Sequence, residues 1–292
     1  MQQRSICTAR SGTTRVGAIG LGEMPLSIEN RPDEARAMRT IAAALDAGVT
    51  LIDTADAYCL REDEHGHGER IVAKALADYA GDISGVLVAT KGGHRRLADG
   101  TWIVNGRPDY LKQAAQDSAR ALGVEAIGLY QFHRPDPDVP YAESVGALKE
   151  LLDAGTIRMA GISNASIAQI DETVAILGGG GLASVQNQYS PAFRSSEDEL
   201  RHCGFIGVAF LPWSPLGGIS SAAELGSRHA AFAEIAQEHG VSPQQVTLAW
   251  MLAKGEHVIP IPGSSRPETI RSSAEAAQLT LGADELARLD AA

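Results

Sequence analysis

The sequence predicts an α/β fold, a single (β/α)8 TIM barrel in which residues 1–292 form one domain. Short apolar runs alternate with longer amphipathic segments about eight times, which is typical of a parallel sheet whose strands are joined by helices. No linker rich in Ser, Gly and Pro divides the chain, and its composition does not change along its length. Eight strand–helix pairs without a break favour closure into a barrel.

The predicted strands are the short apolar runs. In chain order they are Val16–Gly20, Thr50–Thr54, Val86–Thr90, Ile127–Phe132, Ile157–Ile162, Ala183–Gln186, Ile206–Leu211 and His257–Ile261. An open doubly wound sheet is the alternative arrangement, and it would be expected to carry a GxGxxG dinucleotide fingerprint. Gly17, Gly20 and Gly22 lack that spacing, so the barrel is favoured.

The predicted helices fill the intervals between these strands. Their apolar residues recur on one face, as Ile71, Val72 and Ala75 do within Glu69–Tyr79, and Gly123 is placed to end the third helix. In chain order the helices are Pro32–Asp46, Glu69–Tyr79, Pro108–Leu122, Tyr141–Ala154, Ser166–Leu177, Ser195–Cys203, His229–His239, Pro243–Ala253, Pro267–Gln278 and Ala283–Asp290.

Composition excludes several classes of protein. The net charge is −11, and no block of Lys and Arg offers the basic stripe of a nucleic-acid-binding protein. Cys7, Cys59 and Cys203 are widely spread, and their odd number and spacing indicate neither a disulfide framework nor a zinc site. A reducing, cytoplasmic location is therefore expected. The oligomeric state is not indicated.

The chain is not expected to enter a membrane. Its first residues are polar and lead into no apolar stretch, so no signal peptide is predicted. No apolar run approaches the ~18–20 residues that would span a bilayer.

Four polar residues fall at the ends of successive predicted strands, where barrel enzymes place their chemistry. Asp53 ends the second strand, Tyr58 follows it, Lys91 ends the third, and His133 ends the fourth. Neighbouring strands lie ~4.8 Å apart, so these side chains can converge. A carbonyl that accepts hydride needs a proton donor and positive charge at its oxygen. An ammonium beside a tyrosine, whose ordinary pKa is ~10, would lower that pKa.

These residues stand in motifs that resemble those of the aldo-keto reductase family, and the resemblance covers nearly the whole chain. In order along the chain, the similar segments are Gly20-Leu21-Gly22, Asp53-Thr54-Ala55-Asp56-Ala57-Tyr58, Thr90-Lys91, Phe132-His133, Gly161-Ile162-Ser163-Asn164, Val185-Gln186-Asn187-Gln188-Tyr189-Ser190, Trp213-Ser214-Pro215-Leu216-Gly217-Gly218 and Ile261-Pro262-Gly263-Ser264-Ser265-Arg266. One such motif would be weak evidence, but several in the family's order are specific.

The resemblance implies a soluble NADPH-dependent reductase that converts an aldehyde or ketone to an alcohol by hydride transfer. Tyr58 would be the general acid, Lys91 would modulate its pKa, Asp53 would pair with Lys91, and His133 would orient the carbonyl of the substrate. Apart from the resemblance, Trp102 lies in the loop Gly92–Arg107 after the third predicted strand, where it would either line the substrate pocket or pack within the loop. The implied cofactor-binding residues are Gly22, Met24, Ser163, Asn164, Gln186, Trp213, Ser214, Leu216, Gly217, Ser264, Ser265, Arg266 and Thr269.

Two segments depart from the family pattern. Thr269, Ser272 and Ser273 stand where the family often has Arg or Gln followed by Glu-Asn, although the hydroxyls and guanidinium of Ser264–Arg266 suit a 2′-phosphate and favour NADPH. Glu23 stands where the family commonly has Thr, and it is expected to affect either the substrate side or the ribose contact of the cofactor.

Two other functions are compatible with parts of the sequence. A lysine at a barrel strand end is also the Schiff-base arrangement of aldolases, which would use Lys91. Some relatives of the family are non-catalytic subunits that sense NADP(H). His65 and His67 lie near carboxylates, but they lack a third firm ligand, so no metal site is predicted.

Overall fold

The chain folds as a (β/α)8 barrel, and the computed structural model describes residues 1–218 and 221–292. Seven parallel strands form one curled sheet: β3 (Leu21–Gly22), β4 (Leu51–Asp53), β5 (Leu87–Gly92), β8 (Ile127–Phe132), β9 (Ile157–Ser163), β10 (Leu182–Gln186) and β11 (Ala209–Phe210). Their order in the sheet is β11-β10-β9-β8-β5-β4-β3.

Residues 257–263 close the barrel between β11 and β3. Val258 pairs with Phe210 on one side, and Gly263 pairs with Gly22 on the other, both in parallel. The prediction of a continuous strand over His257–Ile261 is wrong. Pro260 and Pro262 lie in this segment; their carbonyl oxygens accept from Gly20 N and Gly22 N, but they have no amide hydrogen to donate in return.

Helices surround the sheet. They are α1 (Glu34–Asp46), α2 (His67–Asp78), α3 (Pro108–Leu122), α4 (Tyr141–Asp153), α5 (Ile167–Leu177), α6 (Glu197–Ile206), α7 (Leu225–Arg228), α8 (Ala230–His239), α9 (Pro243–Ala253), α10 (Pro267–Glu275) and α11 (Ala283–Ala291). Their ends follow local signals: the Asp33 side chain caps α1, Ser166 and Ser242 form capping boxes on α5 and α9, and Gly123 ends α3. None of the described helices combines the length and apolar character needed to cross a membrane.

An antiparallel hairpin of β1 (Gln3–Thr8) and β2 (Gly12–Gly17) precedes the barrel. It corrects the prediction that Val16–Gly20 is the first barrel strand, because Val16 pairs with Arg4 inside the hairpin. Ile6 and Val16 are fully buried and pack in the same apolar cluster as residues of the barrel strands. The hairpin thus uses apolar residues that the sequence pattern had assigned to the sheet.

A second hairpin, β6 (His94–Arg96) and β7 (Trp102–Val104), follows β5 directly. No strand was predicted between Thr90 and Pro108 from the sequence. Two other boundaries also moved: the helix predicted at Ser195–Cys203 lies at Glu197–Ile206, and the strand predicted at Ile206–Leu211 is limited to Ala209–Phe210. Gly207 adopts a left-handed conformation (φ 73°) that ends this helix later than expected.

Candidate active site

Parallel strands bring three of the four predicted catalytic residues to one end of the barrel. Asp53 is the last residue of β4, Lys91 lies near the end of β5, and His133 directly follows β8. The register pairs Asp53 with Ala89 and Lys91 with Gln131. Side chains from three neighbouring strands therefore meet at the same edge of the sheet.

Lys91 is the centre of this cluster. Its side chain is fully buried, and its ammonium nitrogen lies 2.5 Å from Asp53 Oδ1, 2.8 Å from the carbonyl oxygen of Thr54 and 3.3 Å from the hydroxyl of Tyr58. Three donors thus face three oxygen atoms, which satisfies the hydrogen-bonding capacity of the ammonium. Because both carboxylate and amine are buried and paired, each fixes the position of the other.

The second carboxylate oxygen of Asp53 also accepts hydrogen bonds. Oδ2 accepts hydrogen bonds from Gln131 Nε2 at 3.0 Å and from Gln186 Nε2 at 2.8 Å. Gln131 was not identified from the sequence, although a polar residue inside the apolar run Leu129–Phe132 was the signal that could have found it. Two amides on neighbouring strands therefore hold the carboxylate that holds Lys91.

A tight loop between β4 and α2 presents Tyr58. The backbone nitrogen of Tyr58 donates to Ala55 O, its carbonyl oxygen accepts from Gly68 N in α2, and Asp56 N donates to Lys91 O. Only 8% of Tyr58 is exposed, so most of its ring packs in the barrel mouth. The loop is anchored to the strand that carries Lys91 and to the helix that follows.

Burial and neighbouring charges shift the pKa values of Tyr58 and Lys91 in opposite directions. Burial raises the pKa of Tyr58 above its ordinary value, while the Lys91 ammonium offsets part of this rise. The expected lowering by Lys91 is thus present, but burial outweighs it. Burial also opposes the charge of Lys91, yet Asp53 and Tyr58 together raise the pKa of Lys91 above its ordinary value. Lys91 therefore stays protonated around neutrality.

His133 is a neutral imidazole. Burial, followed by the charges of Lys91, His94 and Arg134, holds its pKa well below the ordinary value. Its ring meets that of Tyr58 edge-to-face, with centroids 5.9 Å apart. Nδ1 is buried without a hydrogen-bond partner among the described residues. The imidazole can thus offer a hydrogen bond, but it cannot supply a charge near neutrality.

Trp102 lies near the catalytic cluster through an aromatic stack. The ring of His94 stacks on Trp102, with centroids 4.6 Å apart, and meets the ring of His133 edge-to-face at 4.9 Å. The guanidinium of Arg96 covers Trp102 at 4.4 Å. His94, three residues after Lys91, was missed in the sequence analysis. The β6–β7 hairpin therefore packs against the mouth of the barrel through the contact of His94 with His133.

Three predicted cofactor residues adjoin the cluster. Ser163 Oγ donates to the carbonyl oxygen of Gln186 at 2.8 Å, and Asn164 Nδ2 lies 3.0 Å from both His133 O and Ser163 Oγ. Asn164 has a left-handed backbone (φ 57°). The side-chain nitrogen of Gln186, however, is turned toward Asp53. These residues lie beside His133 and Asp53 and form one connected network.

The loop after β11 holds four more predicted cofactor residues. Trp213 is half-buried, and its Nε1 lacks a partner among the described residues. Ser214 and Gly217 have positive φ values of 48° and 87°, and Leu216 is buried. The chain therefore makes sharp turns here and keeps Trp213 at the barrel end.

The remaining predicted cofactor residues flank the closing segment. Gly22 lies so close to it that a Cβ there would be 2.9 Å from Ile261 O, and Met24 begins a short 3₁₀ turn, Met24–Leu26. On the other side Ser264 is buried, Ser265 is half-buried, and Arg266 is exposed. Thr269, half-buried, lies in the first turn of α10, whose N-terminus has no side-chain cap.

The described residues contain no group of three or more His, Cys, Asp or Glu side chains that could hold a metal ion. His65 instead accepts a long contact from Arg96 N at 3.4 Å.

The sequence profile described as "Aldo/keto reductase family" matches residues 18–292. The chain belongs to the aldo/keto reductase family. Pyridoxine 4-dehydrogenase of Escherichia coli is 29% identical over 289 residues, which cover 96% of this chain and 96% of that relative.

Two solved structures resemble this aldo/keto reductase along nearly its whole length. A glycerol dehydrogenase from Gluconobacter oxydans is 26% identical, with a TM-score of 0.83, and the match covers 99% of this chain and 94% of that one. An aldo/keto reductase from Klebsiella pneumoniae in complex with NADP and acetate is 25% identical, with a TM-score of 0.79 over 99% of this chain and 95% of that one. The family is one of oxidoreductases.

Proposed function

We propose that this protein is an NADPH-dependent carbonyl reductase in which residues 1–292 form one domain, although residues 219–220 lie outside those described. The observation that carries the proposal is the contact of Tyr58 with a buried ammonium: the hydroxyl lies 3.3 Å from Lys91 Nζ, and Lys91 is fixed by Asp53. A proton donor beside a held positive charge suits a carbonyl oxygen that gains negative charge.

The barrel end fits a dinucleotide. Gly22 leaves room for close approach beside Ile261, the N-terminus of α10 has no side-chain cap, and Arg266 adds a guanidinium suited to a 2′-phosphate. We therefore propose NADPH as the cofactor. Its proposed ligands are Gly22, Met24, Ser163, Asn164, Gln186, Trp213, Ser214, Leu216, Gly217, Ser264, Ser265, Arg266 and Thr269. When bound, the reduced nicotinamide supplies the hydride.

The chain's own groups then act on the carbonyl oxygen of a small substrate. Tyr58 donates a proton to that oxygen, Lys91 stabilises the resulting phenolate, and Asp53 keeps the ammonium in place. His133, being neutral, orients the oxygen through a hydrogen bond. Trp102 forms a wall of the substrate pocket.

The protonation state of Lys91 argues against an aldolase. Asp53 holds Lys91 as an ammonium, whereas formation of a Schiff base needs the neutral amine. The complete hydrogen-bonded cluster likewise favours a working enzyme over a non-catalytic cofactor sensor.

Replacing Tyr58 with Phe tests the proposed function. The variant keeps the ring but removes the proton donor, so kcat for NADPH-dependent reduction should fall by ~10²-fold or more, with cofactor affinity unchanged. A panel of aldehydes and ketones is assayed by NADPH absorbance, with NADH in parallel, and affinity is measured by fluorescence titration.

Tyr79→Phe is the matched control, because Tyr79 lies away from the site and its hydroxyl bonds to Asp46 at 2.8 Å. Its kcat should equal that of the unmodified protein. Full activity in Tyr58→Phe would rule out the proposed acid.

A further inference from the structure

Glu23 is a completely buried carboxyl group next to the catalytic cluster. Its exposed fraction is 0%, and one carboxyl oxygen bonds to the hydroxyl of Thr54 at 2.9 Å while the other bonds to that of Ser27. None of the described Lys, Arg or His side chains forms an ion pair with it. A buried acid that has only hydroxyl partners is unusual, because burial penalises the charged form.

Glu23 forms one hydrogen bond with Asp53 and one with Thr54, the two residues that hold Lys91. Its backbone nitrogen donates to Asp53 O at 2.8 Å, and its carboxyl binds the Thr54 side chain. The carbonyl oxygen of the same Thr54 accepts from Lys91 Nζ at 2.8 Å. The Asp53–Thr54 segment is thus clamped by Glu23 on one side and bonded to Lys91 on the other.

The packing leaves the Glu23 side chain no route to substrate or cofactor. A Cβ at Gly68 in α2 would lie 2.5 Å from Glu23 Oε2 and 2.7 Å from Thr54 Oγ1, so the helix covers the carboxyl tightly. In this structure the buried side chain exposes no surface for the substrate contact or the ribose contact expected from the sequence.

We propose that Glu23 is a positioning residue whose protonated carboxyl holds Thr54, and through Thr54 the Lys91 ammonium, beside Tyr58. The inference rests on the proposed function, since it assigns Glu23 a role in that reaction. Both hydroxyls are placed as donors to the carboxyl oxygens; in the neutral acid one of these bonds reverses, so that the carboxyl donates to one hydroxyl and accepts from the other, and both contacts are kept.

The charges around Glu23 fit this assignment. Burial raises its pKa to about 8, against the opposing effects of the Ser27 and Thr54 hydroxyls and of Lys91, while Asp53 raises it further. The titratable groups that act on it are Lys91 on β5, Asp53 on β4 and Tyr58 in the loop after β4, and Gly68 of α2 lies against its carboxyl. Lys91 is already paired with Asp53, so a second carboxylate would be uncompensated.

Ionisation of Glu23 would act on the proposed acid. A negative charge there raises the pKa of Tyr58. As the pH rises through about 8, Glu23 loses its proton, Tyr58 becomes a weaker acid, and carbonyl reduction should slow. A decline of kcat centred near pH 8, below the raised pKa of Tyr58, would then belong to Glu23.

Glu23→Gln and Glu23→Ala, made in the full chain, test the proposal. Gln keeps a neutral group able to bond both hydroxyls, so kcat near pH 7 should stay within ~3-fold, and the alkaline decline should disappear. Ala removes the clamp, so kcat should fall ~10-fold with KM little changed. Ser27→Ala is the matched control, because it removes a Glu23 partner that does not contact Lys91; its alkaline decline should persist.

Infrared spectroscopy reads the proton directly, without any activity. The C=O stretch of a protonated carboxyl should appear in the difference between the unmodified protein and Glu23→Gln and should vanish between about pH 6 and about pH 10. The difference removes the contributions of Asp56 and Glu69, which are also buried.

Absence of that band, or a loss of kcat in Glu23→Gln as large as in Glu23→Ala, would overturn the proposal. If no carbonyl compound is reduced by the unmodified protein, the proposed function fails, and the infrared titration still decides the state of Glu23. Should Glu23→Ala not fold, Glu23→Gln and the infrared titration remain decisive.

Discussion

At the scale of single residues, the pKa of Tyr58 is set by two opposing effects. Burial in the barrel mouth disfavours the phenolate, and the ammonium of Lys91 stabilises it from 3.3 Å away. A tyrosine that is buried without such a charge would hold its proton too firmly to act as an acid near neutrality. Lys91 is therefore the residue whose removal should change the titration of Tyr58 most directly.

Replacing Lys91 with Met should shift the pH dependence of the reverse reaction, alcohol oxidation by NADP. That direction needs the phenolate of Tyr58, so its rate rises as the pH passes the pKa of Tyr58. Without Lys91 this pKa increases, and the rise should move to higher pH while kcat falls by roughly 10²-fold. Initial rates measured across the pH range provide the check.

Lys74→Met is the control for charge alone, because Lys74 is an exposed lysine on α2 that pairs with Glu34. It should reproduce the unmodified profile. An unshifted profile in Lys91→Met would mean that Lys91 does not act on the phenol.

The identity of the residues in the cluster was predictable from the sequence, but their contacts were not. Asp53, Tyr58, Lys91 and His133 were predictable because parallel strands bring their ends to one edge. The bonds from Gln131 and Gln186 to Asp53, and the inward direction of Glu23, depend on side-chain rotamers that only the packed barrel selects. The net rise in the pKa of Tyr58 likewise depends on burial.

At the scale of secondary-structure elements, the β6–β7 hairpin brings aromatic groups to the site. The rings of His94 and Trp102, which lie on different strands of the hairpin, stack on each other, and the His94 ring meets that of His133 edge-to-face. Burial lowers the pKa of His94 to about 4, so the stack carries no charge on this histidine near neutrality. The hairpin therefore supports the orientation of His133 with flat, neutral surfaces.

Trp102→Ala should raise KM for the carbonyl substrate by roughly 2–10-fold, because one aromatic contact contributes about 0.5–1.5 kcal/mol. Cofactor affinity should not change, since Trp102 lies on the hairpin rather than along the proposed dinucleotide path. Steady-state kinetics with a fixed, saturating NADPH concentration measure the effect.

Trp102→Phe, which keeps an aromatic ring, should restore most of the affinity. An unchanged KM in Trp102→Ala would remove Trp102 from the substrate pocket.

The helices were predictable because each begins or ends with a residue that satisfies free backbone groups, as Ser166 and Gly123 do. The two hairpins were not. β6 and β7 have three residues each, too few to establish a two-residue alternation, and Val16 reads equally well in a hairpin or a barrel strand. Which of these pairings forms depends on contacts distant in sequence.

At the scale of the whole molecule, the hydrogen bonding between neighbouring strands differs from place to place around the barrel. β8 and β9 pair over five residue positions, from Ile127 with Ile157 to Phe132 with Ile162. Residues 257–263 are joined to β3 and β11 by isolated bridges, with hydrogen bonds such as Gly20 N to Pro260 O and Ile259 N to Phe210 O. Pro260 and Pro262 prevent any denser pairing.

Residues 257–263 are therefore the most weakly paired part of the barrel. Proposed cofactor ligands lie on both sides of this segment, Gly22 on one and Ser264 on the other. In the free protein the amides of Gly20, Gly22, Ile259 and Ile261 should exchange with solvent deuterium faster than those of β8 and β9. A dinucleotide bound across residues 257–263 would stabilise this weakly paired part of the barrel. It should therefore slow exchange at these four amides more than elsewhere. Hydrogen exchange with and without NADP measures this difference, and equal slowing across the barrel would contradict it. The cofactor would then stabilise the closure of the barrel in addition to taking part in the reaction.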